Sequence, residues 1–120
     1  MREIPILYLV VPCYNEQEVV EKTAAVMGEK LARLERENKI AAGSKIMFVN
    51  DGSKDDTLRL LHQIAAGDTR FSVVSLAGNY GHQSAILAGM MTARKHADAV
   101  ITIDADLQQD IEARDLFLAS

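Results

Sequence analysis

The chain repeats one pattern: a short apolar run, a polar cluster, and a longer segment with apolar residues at helical spacing. The first run spans Ile6 to Val11, and its uninterrupted apolar character is typical of a strand buried on both faces. Pro12 follows and cannot donate a hydrogen bond to a neighbouring strand, so we predict that the strand ends there. Apolar residues then recur at helical spacing from Val20 to Leu34, which predicts a helix.

The predicted start of this helix carries a capping signature. Asn15 is a common N-cap residue, and Glu18, three positions later, completes the spacing of a capping box. We therefore predict that the helix begins directly after Asn15 and continues to Asn38.

The same pattern continues through the rest of the chain. Apolar runs predict strands over residues 45–50, 71–76 and 99–103, and helical spacing predicts helices over about 56–66 and 83–95. The last of these helices is apolar nearly all round, which predicts deep burial. Alternating strands and helices predict an α/β fold: a Rossmann-like, three-layer α/β/α arrangement with a mainly parallel sheet.

A polar cluster follows each predicted strand at once. The clusters occupy residues 12–16, 50–53, 77–82 and 104–108. In open parallel sheets, ligands bind beyond the carboxyl ends of the strands, near the switch in strand order. The four clusters therefore predict one composite site at that edge.

Asp104 and Asp106 lie one residue apart and point to the same side if the strand geometry persists. Gln108 adds a neutral oxygen on that side, and hard oxygen ligands of this kind suit Mg²⁺ or Mn²⁺. Such a metal would neutralise a diphosphate leaving group. The Asp104-Ala105-Asp106 triplet alone is common by chance, so its position after a buried strand is what favours a metal site.

Other candidates in the clusters each have a structural alternative. Asp51 can accept a hydrogen bond from a base or ribose, and Gly52 permits a positive φ, but Asp51-Gly52-Ser53 is also an ordinary turn. Tyr14 could stack on a base or be a rim aromatic. Glu16 is either a ligand contact or an acid favoured near a helix start.

Composition narrows the function classes. The 120 residues suit one domain, and a formal net charge of −4 without a basic block makes nucleic acid an unfavoured partner. The single cysteine, Cys13, fits a reducing compartment and is interpreted as a small apolar residue. No apolar run approaches the roughly 20 residues of a membrane span.

Four motifs together resemble glycosyltransferase family 2: PCYNE, NDGSKDDT, GNYGHQSAILAG and DADLQ, in that order. The resemblance runs from about Ile6 to Asp110 and is strongest to the polyprenyl-phosphate glycosyltransferases, which resemble dolichol-phosphate mannose synthase. It implies the nucleotide-binding half of a GT-A fold and sugar transfer with inversion from a UDP- or GDP-linked donor. The implied acceptor is a lipid phosphate or cell-envelope glycan.

The resemblance also implies roles for individual residues. Pro12, Tyr14 and Glu16 would line the nucleotide pocket, and Asp51 would hold the base. Donor binding would extend to Asp104 and Ala105, while Asp104, Asp106 and Gln108 would hold the metal, with Asp106 as the catalytic position. Two positions depart from the family pattern: Asn50 replaces a frequent aspartate, and Gly78 replaces a frequent arginine, so the phosphate contact of such an arginine is not expected here.

The family's catalytic domain extends past the DADLQ motif, so residues 1–120 are expected to be a truncated N-terminal part. Such a part is expected to be soluble, to bind nucleotide weakly and to transfer nothing, whereas the full-length protein would lie at the cytoplasmic face of the membrane. A homo-oligomer is a further expectation, since a half-domain exposes apolar surface.

Three other function classes share some of these features. A receiver domain places an acidic pair after its first strand, where this chain has Pro12, Cys13 and Tyr14. A haloacid-dehalogenase-type phosphatase has its DxD motif after the first strand, whereas here the motif follows the fourth. A non-catalytic nucleotide-binding module stays open as an alternative.

Overall fold

The computed structural model describes residues 4–103, which form a parallel sheet with helices on both faces. The predicted α/β class and three-layer arrangement are confirmed. The strands are β1 (Leu7–Cys13), β2 (Lys45–Asn50), β3 (Phe71–Ser75) and β4 (Ala99–Thr102). The helices between them are α1 (Val20–Arg36), α2 (Thr57–Gly67) and α3 (His82–Ala93).

The strand order is β3-β2-β1-β4, and every neighbouring pair is parallel. The carboxyl ends of the first three strands are level, because Cys13 pairs with Asn50 and Asn50 pairs with Ser75. The chain moves outward from β1 to β3 and then returns to the other side of β1. The switch point of the sheet therefore lies between β1 and β4, where open α/β folds bind ligands.

Two apolar cores lie on opposite faces of the sheet. On one face, α1 and α2 pack against alternate residues of the strands, and the largest fully buried side chains there include Phe48, Met27 and Leu34. On the other face, α3 packs against the intervening residues, including Val10 and Val49. Helices on both faces explain why β1 and β2 are continuous apolar runs.

Strand β1 continues two residues further than predicted, through Pro12 to Cys13. Alternate residues of a parallel strand bond to opposite neighbours: the carbonyl of Val10 accepts from Ile103 N–H (3.0 Å), and that of Cys13 accepts from Asp51 N–H (2.9 Å). Pro12 therefore faces β4, where the pairing of β1 ends at Val10. The missing N–H of Pro12 interrupts the ladder on the β4 side only.

Helix α1 begins at Val20, so the predicted start directly after Asn15 is wrong. Asn15 has a left-handed backbone with φ of 53°, and no side chain caps the helix. The capping signature fails because the Asn15 side chain bonds to another loop of the candidate site instead.

The predicted deep burial of α3 is also wrong, since the helix is buried on one side only. Its small residues Ala85, Gly89 and Ala93 face the sheet, whereas Leu87 and Met91 are 58% and 54% exposed. A Cβ atom on Gly89 would lie 2.5 Å from the Val10 side chain. The helix approaches the sheet so closely that only small residues fit between them.

Candidate functional site

Three loops meet at the carboxyl edge of the sheet: the β1–α1 loop (residues 14–19), the β2–α2 loop (residues 51–56) and the β3–α3 loop (residues 76–81). Each contains most of one of the polar clusters singled out in the sequence. Parallel strands bring their ends to this edge, and hydrogen bonds then join the loops to one another.

Asn15 links the β1–α1 loop to the β2–α2 loop through both its backbone and its side chain. Its N–H donates to the Ser53 hydroxyl (2.9 Å), and its side-chain oxygen accepts from the Lys54 N–H (2.8 Å). The left-handed backbone at Asn15 accompanies this two-sided contact, and asparagine tolerates that conformation better than most residues.

Gln17 repeats the same two-sided link two residues later. Its N–H donates to the Asp55 carboxylate (3.3 Å), and its side-chain oxygen accepts from the Asp56 N–H (2.8 Å). Between the two, the N–H of Glu16 donates to the Thr57 hydroxyl (2.8 Å). Three consecutive residues of the β1–α1 loop thus bond to the β2–α2 loop and to the first residue of α2. These bonds fix the end of β1 relative to the end of β2.

Asp55 stabilises the start of α2, and its pKa is lowered from the ordinary aspartate value. Its carboxylate accepts from both the hydroxyl (2.6 Å) and the N–H (2.9 Å) of Thr57. Desolvation by burial is the largest influence and raises the pKa of Asp55, but the hydrogen bonds from Thr57 and Gln17 together outweigh it, so the pKa is lowered. Asp55 therefore stays ionised and braces the two loops.

Asp51 holds the β3–α3 loop over the end of β2. The residue is 4% exposed, and its two carboxylate oxygens accept from the Tyr80 N–H (2.9 Å) and the Gly81 N–H (3.1 Å). A carboxylate can accept about four hydrogen bonds, so these two leave acceptor capacity on each oxygen. Sequence reasoning assigned Asp51 to the base of a nucleotide but missed this contact, because neither loop reveals the other in the sequence.

Gly52 is required for two separate reasons. Its φ of +71° confirms the predicted positive value. A Cβ atom there would also lie 2.4 Å from the carbonyl carbon of Gly78 and 2.5 Å from the nitrogen of Asn79. The β2–α2 and β3–α3 loops therefore touch backbone to backbone, which a side chain at position 52 would prevent.

The hydrogen bonds of Asn50 explain why asparagine can stand where the family often has aspartate. Its amide nitrogen donates to the Ser75 hydroxyl at the end of β3 (3.1 Å), and its amide oxygen accepts from the Ser53 N–H (3.3 Å). An aspartate could accept both bonds, because the hydroxyl of Ser75 can donate instead. The position therefore bridges two strand ends with either residue.

The predicted pocket residues of β1 and the β1–α1 loop lie at this edge. Pro12 is buried in β1, Tyr14 is 39% exposed and Glu16 is partly buried. Tyr14 therefore has a free surface on which a base could stack, although a rim aromatic would look the same. A cavity of about 210 Å³, lined by Glu16 with its neighbours and Asp55, is smaller than the roughly 300–1,000 Å³ of typical ligand pockets.

Cys13 is buried at 2% exposure and is not a nucleophile at neutral pH. Burial, with a smaller contribution from the negative charge of Glu16, raises the pKa of its thiol to about 12. Cys13 thus belongs to the core beneath the site, in agreement with its interpretation as a small apolar residue.

The predicted metal ligands Asp104, Asp106 and Gln108, together with Ala105, lie outside the described residues. What is described is the path that leads to them: β4 runs parallel to β1 and ends at Thr102 on the same edge. Within residues 4–103, no group of three His, Cys, Asp or Glu side chains could hold a metal ion. Over the same range, the helices are too short or too polar to cross a bilayer.

Comparisons with known proteins identify relatives of this chain. A sequence model described as glycosyl transferase family 2 matches residues 8–113. An uncharacterised glycosyltransferase of Bacillus subtilis, YkoT, is 46% identical over 115 residues, which cover 95% of this chain and 34% of the relative. An undecaprenyl-phosphate 4-deoxy-4-formamido-L-arabinose transferase of Pseudomonas fluorescens is 40% identical, covering 93% of this chain and 31% of the relative. The chain therefore spans about a third of the length of these relatives.

A solved structure with the same fold is the mannosyltransferase PcManGT from Pyrobaculum calidifontis, in complex with GDP-Man and Mn²⁺. It superposes with a TM-score of 0.61 over 85% of this chain and 28% of that protein, at 22% identity. At this identity, the likeness establishes the fold.

Proposed function

Because the chain belongs to glycosyltransferase family 2, we propose that it binds a nucleotide-diphosphate sugar at the carboxyl edge of its sheet. The observation that carries the proposal is the joining of three loops at this edge, through Asn15 and Gln17 on one side of β2 and Asp51 on the other. A site braced in this way is pre-organised, so little conformational entropy is lost when the ligand binds.

Tyr14, Pro12 and Glu16 would line the nucleotide pocket, and Asp51 would hold the base. Tyr14 offers an exposed ring for stacking, and Asp51 has acceptor capacity beyond its bonds to Tyr80 and Gly81. Loss of the Asp51 carboxylate would then act twice, by removing a base contact and by releasing the β3–α3 loop.

Asp104, Asp106 and Gln108 would hold Mg²⁺ or Mn²⁺, with Ala105 beside the donor. Two carboxylates and an amide form the hard-oxygen ligand set these ions prefer, and β4 directs the chain toward the switch point. Mn²⁺ in the PcManGT complex supports this choice. When bound, the metal would stabilise the charge that develops on the departing nucleoside diphosphate.

The proposed reaction transfers the sugar with inversion to a polyprenyl phosphate or a cell-envelope glycan. The undecaprenyl-phosphate sugar transferase of Pseudomonas fluorescens supports the lipid acceptor. A phosphate acceptor is already anionic and needs no general base, whereas a glycan hydroxyl does. With a lipid acceptor, the whole protein would act at the cytoplasmic face of the membrane.

The donor site is tested by titrating the chain with UDP- and GDP-sugars, with and without Mn²⁺, in an isothermal calorimeter. We expect metal-dependent binding of one nucleotide class. Asp106→Ala should weaken this binding by about 10-fold or more. Loss of an outer-shell partner of a metal ligand already costs about 10-fold in affinity, and Asp106 is itself a proposed ligand.

Asp110→Ala is the matched control, since it removes a nearby carboxylate from outside the proposed ligand set. It should leave the affinity unchanged. Absence of metal-dependent binding for every nucleotide sugar, or equal losses in the Asp106 and Asp110 variants, would contradict the proposed site.

A further inference from the structure

The outer face of α3 carries long apolar side chains that are exposed to solvent. Leu87 is 58% exposed, Met91 is 54% exposed and Met90 is 40% exposed. Tyr80, just before the helix, is 62% exposed. A contiguous patch of exposed apolar side chains can mark an interaction surface.

The fold itself does not need these side chains. Helix α3 is attached to the sheet through Ala85, Gly89 and Ala93, all buried. The close contact of Gly89 with Val10 and Val49 leaves no space for a larger residue on that side. The apolar residues on the outer face therefore add nothing to the core of the described residues.

The charged groups on α3 and at the two positions that follow it are cationic. Helix α3 contains no Asp or Glu, and Arg94 and Lys95 follow its last residue, both exposed. Neither cation forms an ion pair within the described part of the chain. The nearest carboxylate along the sequence, Asp98, accepts a hydrogen bond from the Ile6 N–H at 3.0 Å. This cationic end contrasts with the net charge of −4 for the whole chain.

We propose that the outer face of α3 is a contact surface for an anionic phospholipid bilayer. Leu87, Met90 and Met91 would enter the boundary between headgroups and acyl chains, as the apolar face of an interfacial helix does. Arg94 and Lys95 would stay hydrated among the lipid phosphates, each contributing attraction to a negative surface.

The position of α3 connects this surface to the proposed lipid acceptor, and in this respect the inference rests on the proposed function. The helix begins at His82, directly after the loop that Asp51 holds at the site edge. A bilayer against α3 would therefore lie beside the mouth of the site, where a lipid-linked phosphate could reach it. Binding to the bilayer itself requires neither nucleotide nor metal.

Co-sedimentation of the 120-residue chain with vesicles tests the surface. Vesicles of phosphatidylcholine mixed with phosphatidylglycerol should retain the chain, and vesicles of phosphatidylcholine alone should retain much less. Two double variants, Leu87→Ser with Met91→Ser and Arg94→Glu with Lys95→Glu, should each lose about tenfold or more in binding. Circular dichroism should show that both remain folded, since the altered side chains are exposed.

The control is Lys22→Glu with Arg36→Glu, which makes the same charge change on the exposed side of α1. It should bind anionic vesicles nearly as well as the natural chain. An equal loss in this control would show that net charge alone governs binding and would overturn the proposal. Self-association that disappears in the Leu87 and Met91 variant, without vesicle binding, would assign the face to a second copy and would also overturn it.

Nucleotide titration of the same variants separates this surface from the donor site. The α3 variants should bind nucleotide sugar as the natural chain does. Vesicle binding without nucleotide binding would reject the donor site and keep the membrane surface, and the reverse result would reject the surface alone.

Discussion

Helices α1 and α3 cover opposite faces of one sheet and distribute their residues in opposite ways. In α1, long apolar side chains such as Met27 and Leu31 face the sheet, and charged residues such as Glu29 face solvent. In α3, Ala85 and Gly89 face the sheet, and longer apolar residues face solvent. In α1, the apolar residues face the sheet and the charged residues face solvent. In α3, the small residues face the sheet because there is no space for larger ones.

Helix α1 therefore serves the stability of the fold, whereas α3 also exposes an apolar surface to solvent. The side chains of α1 fill the core over β1 and β2, so α1 has no large apolar group left outside apart from Val19 at its start. Helix α3 approaches the sheet closely with small residues and keeps its large groups for another contact. Equal substitutions in the two helices should therefore have unequal effects.

The largest difference is expected for leucine-to-alanine substitutions in the two helices. Leu31→Ala removes a side chain that is 2% exposed and should lower the free energy of unfolding by about 2–5 kcal/mol. Leu87→Ala removes one that is 58% exposed and should change it by no more than about 0.5 kcal/mol. Urea denaturation followed by circular dichroism measures both, and similar losses would show that the outer face of α3 is not free.

A smaller effect is expected from Gly89→Ala. Alanine favours a helix over glycine by about 1 kcal/mol, but its Cβ atom would lie 2.5 Å from Val10 and 2.8 Å from Val49. We expect a net loss of about 1–3 kcal/mol from overpacking, measured by the same urea denaturation.

Gly67→Ala in α2 is the matched control for this substitution, since no atom lies within 4 Å of the added Cβ. It should be neutral or stabilise the chain by up to about 1 kcal/mol. A Gly89→Ala variant as stable as the Gly67→Ala variant would show that close packing against Val10 and Val49 does not orient α3.

The smallest effect concerns the ion pair beside α1. Arg70 donates to the Asp68 carboxylate at 2.7 Å and to the Gly28 carbonyl of α1 at 3.0 Å. Hydrogen bonds from Arg70 are the largest cause that lowers the pKa of Asp68. Because the folded-state pKa is lowered, the pair stabilises the chain above the ordinary aspartate pKa of about 3.9, and this contribution disappears as the pH falls through the folded value.

Asp68→Asn should therefore lower the free energy of unfolding by no more than about 1 kcal/mol near neutral pH, because both side chains are about one-third exposed and solvent screens the pair. The difference from the natural chain should vanish in strong acid. Urea denaturation over a pH series checks this, and a difference that persists in acid would exclude the ion pair as its source.

Much of the architecture could be read from local patterns. Continuous apolar runs located all four described strands, and the strand–helix alternation predicted a parallel sheet. The errors fell where residues have partners that are distant in the chain. Asn15 looked like a helix cap because its bonds to Ser53 and Lys54, 38 and 39 residues away, cannot be seen locally. Pro12 looked like a strand end because it has no N–H to donate. In the sheet this interrupts the pairing with β4 only, and β1 continues to pair with β2 through Cys13.

The candidate site shows the same division. The polar clusters and the positive φ at Gly52 were predictable, since each follows from residue type and order. The engagement of Asp51 with Tyr80 and Gly81 was not, because it depends on how the β3–α3 loop crosses the end of β2. The roles of Asp104, Asp106 and Gln108 stay predictions, and the Asp106→Ala titration is their test.

The sequence by itself determined the family, the α/β class and the positions of the polar clusters, because motifs and hydrophobic periods are properties of residue order. Only the tertiary structure decided which polar groups are already bonded to one another and which side of α3 is open. Those outcomes depend on distances between segments far apart in the chain, such as the close approach of Gly89 to Val10, where an added Cβ atom would lie only 2.5 Å away. Close packing sets these distances, and residue order does not reveal them.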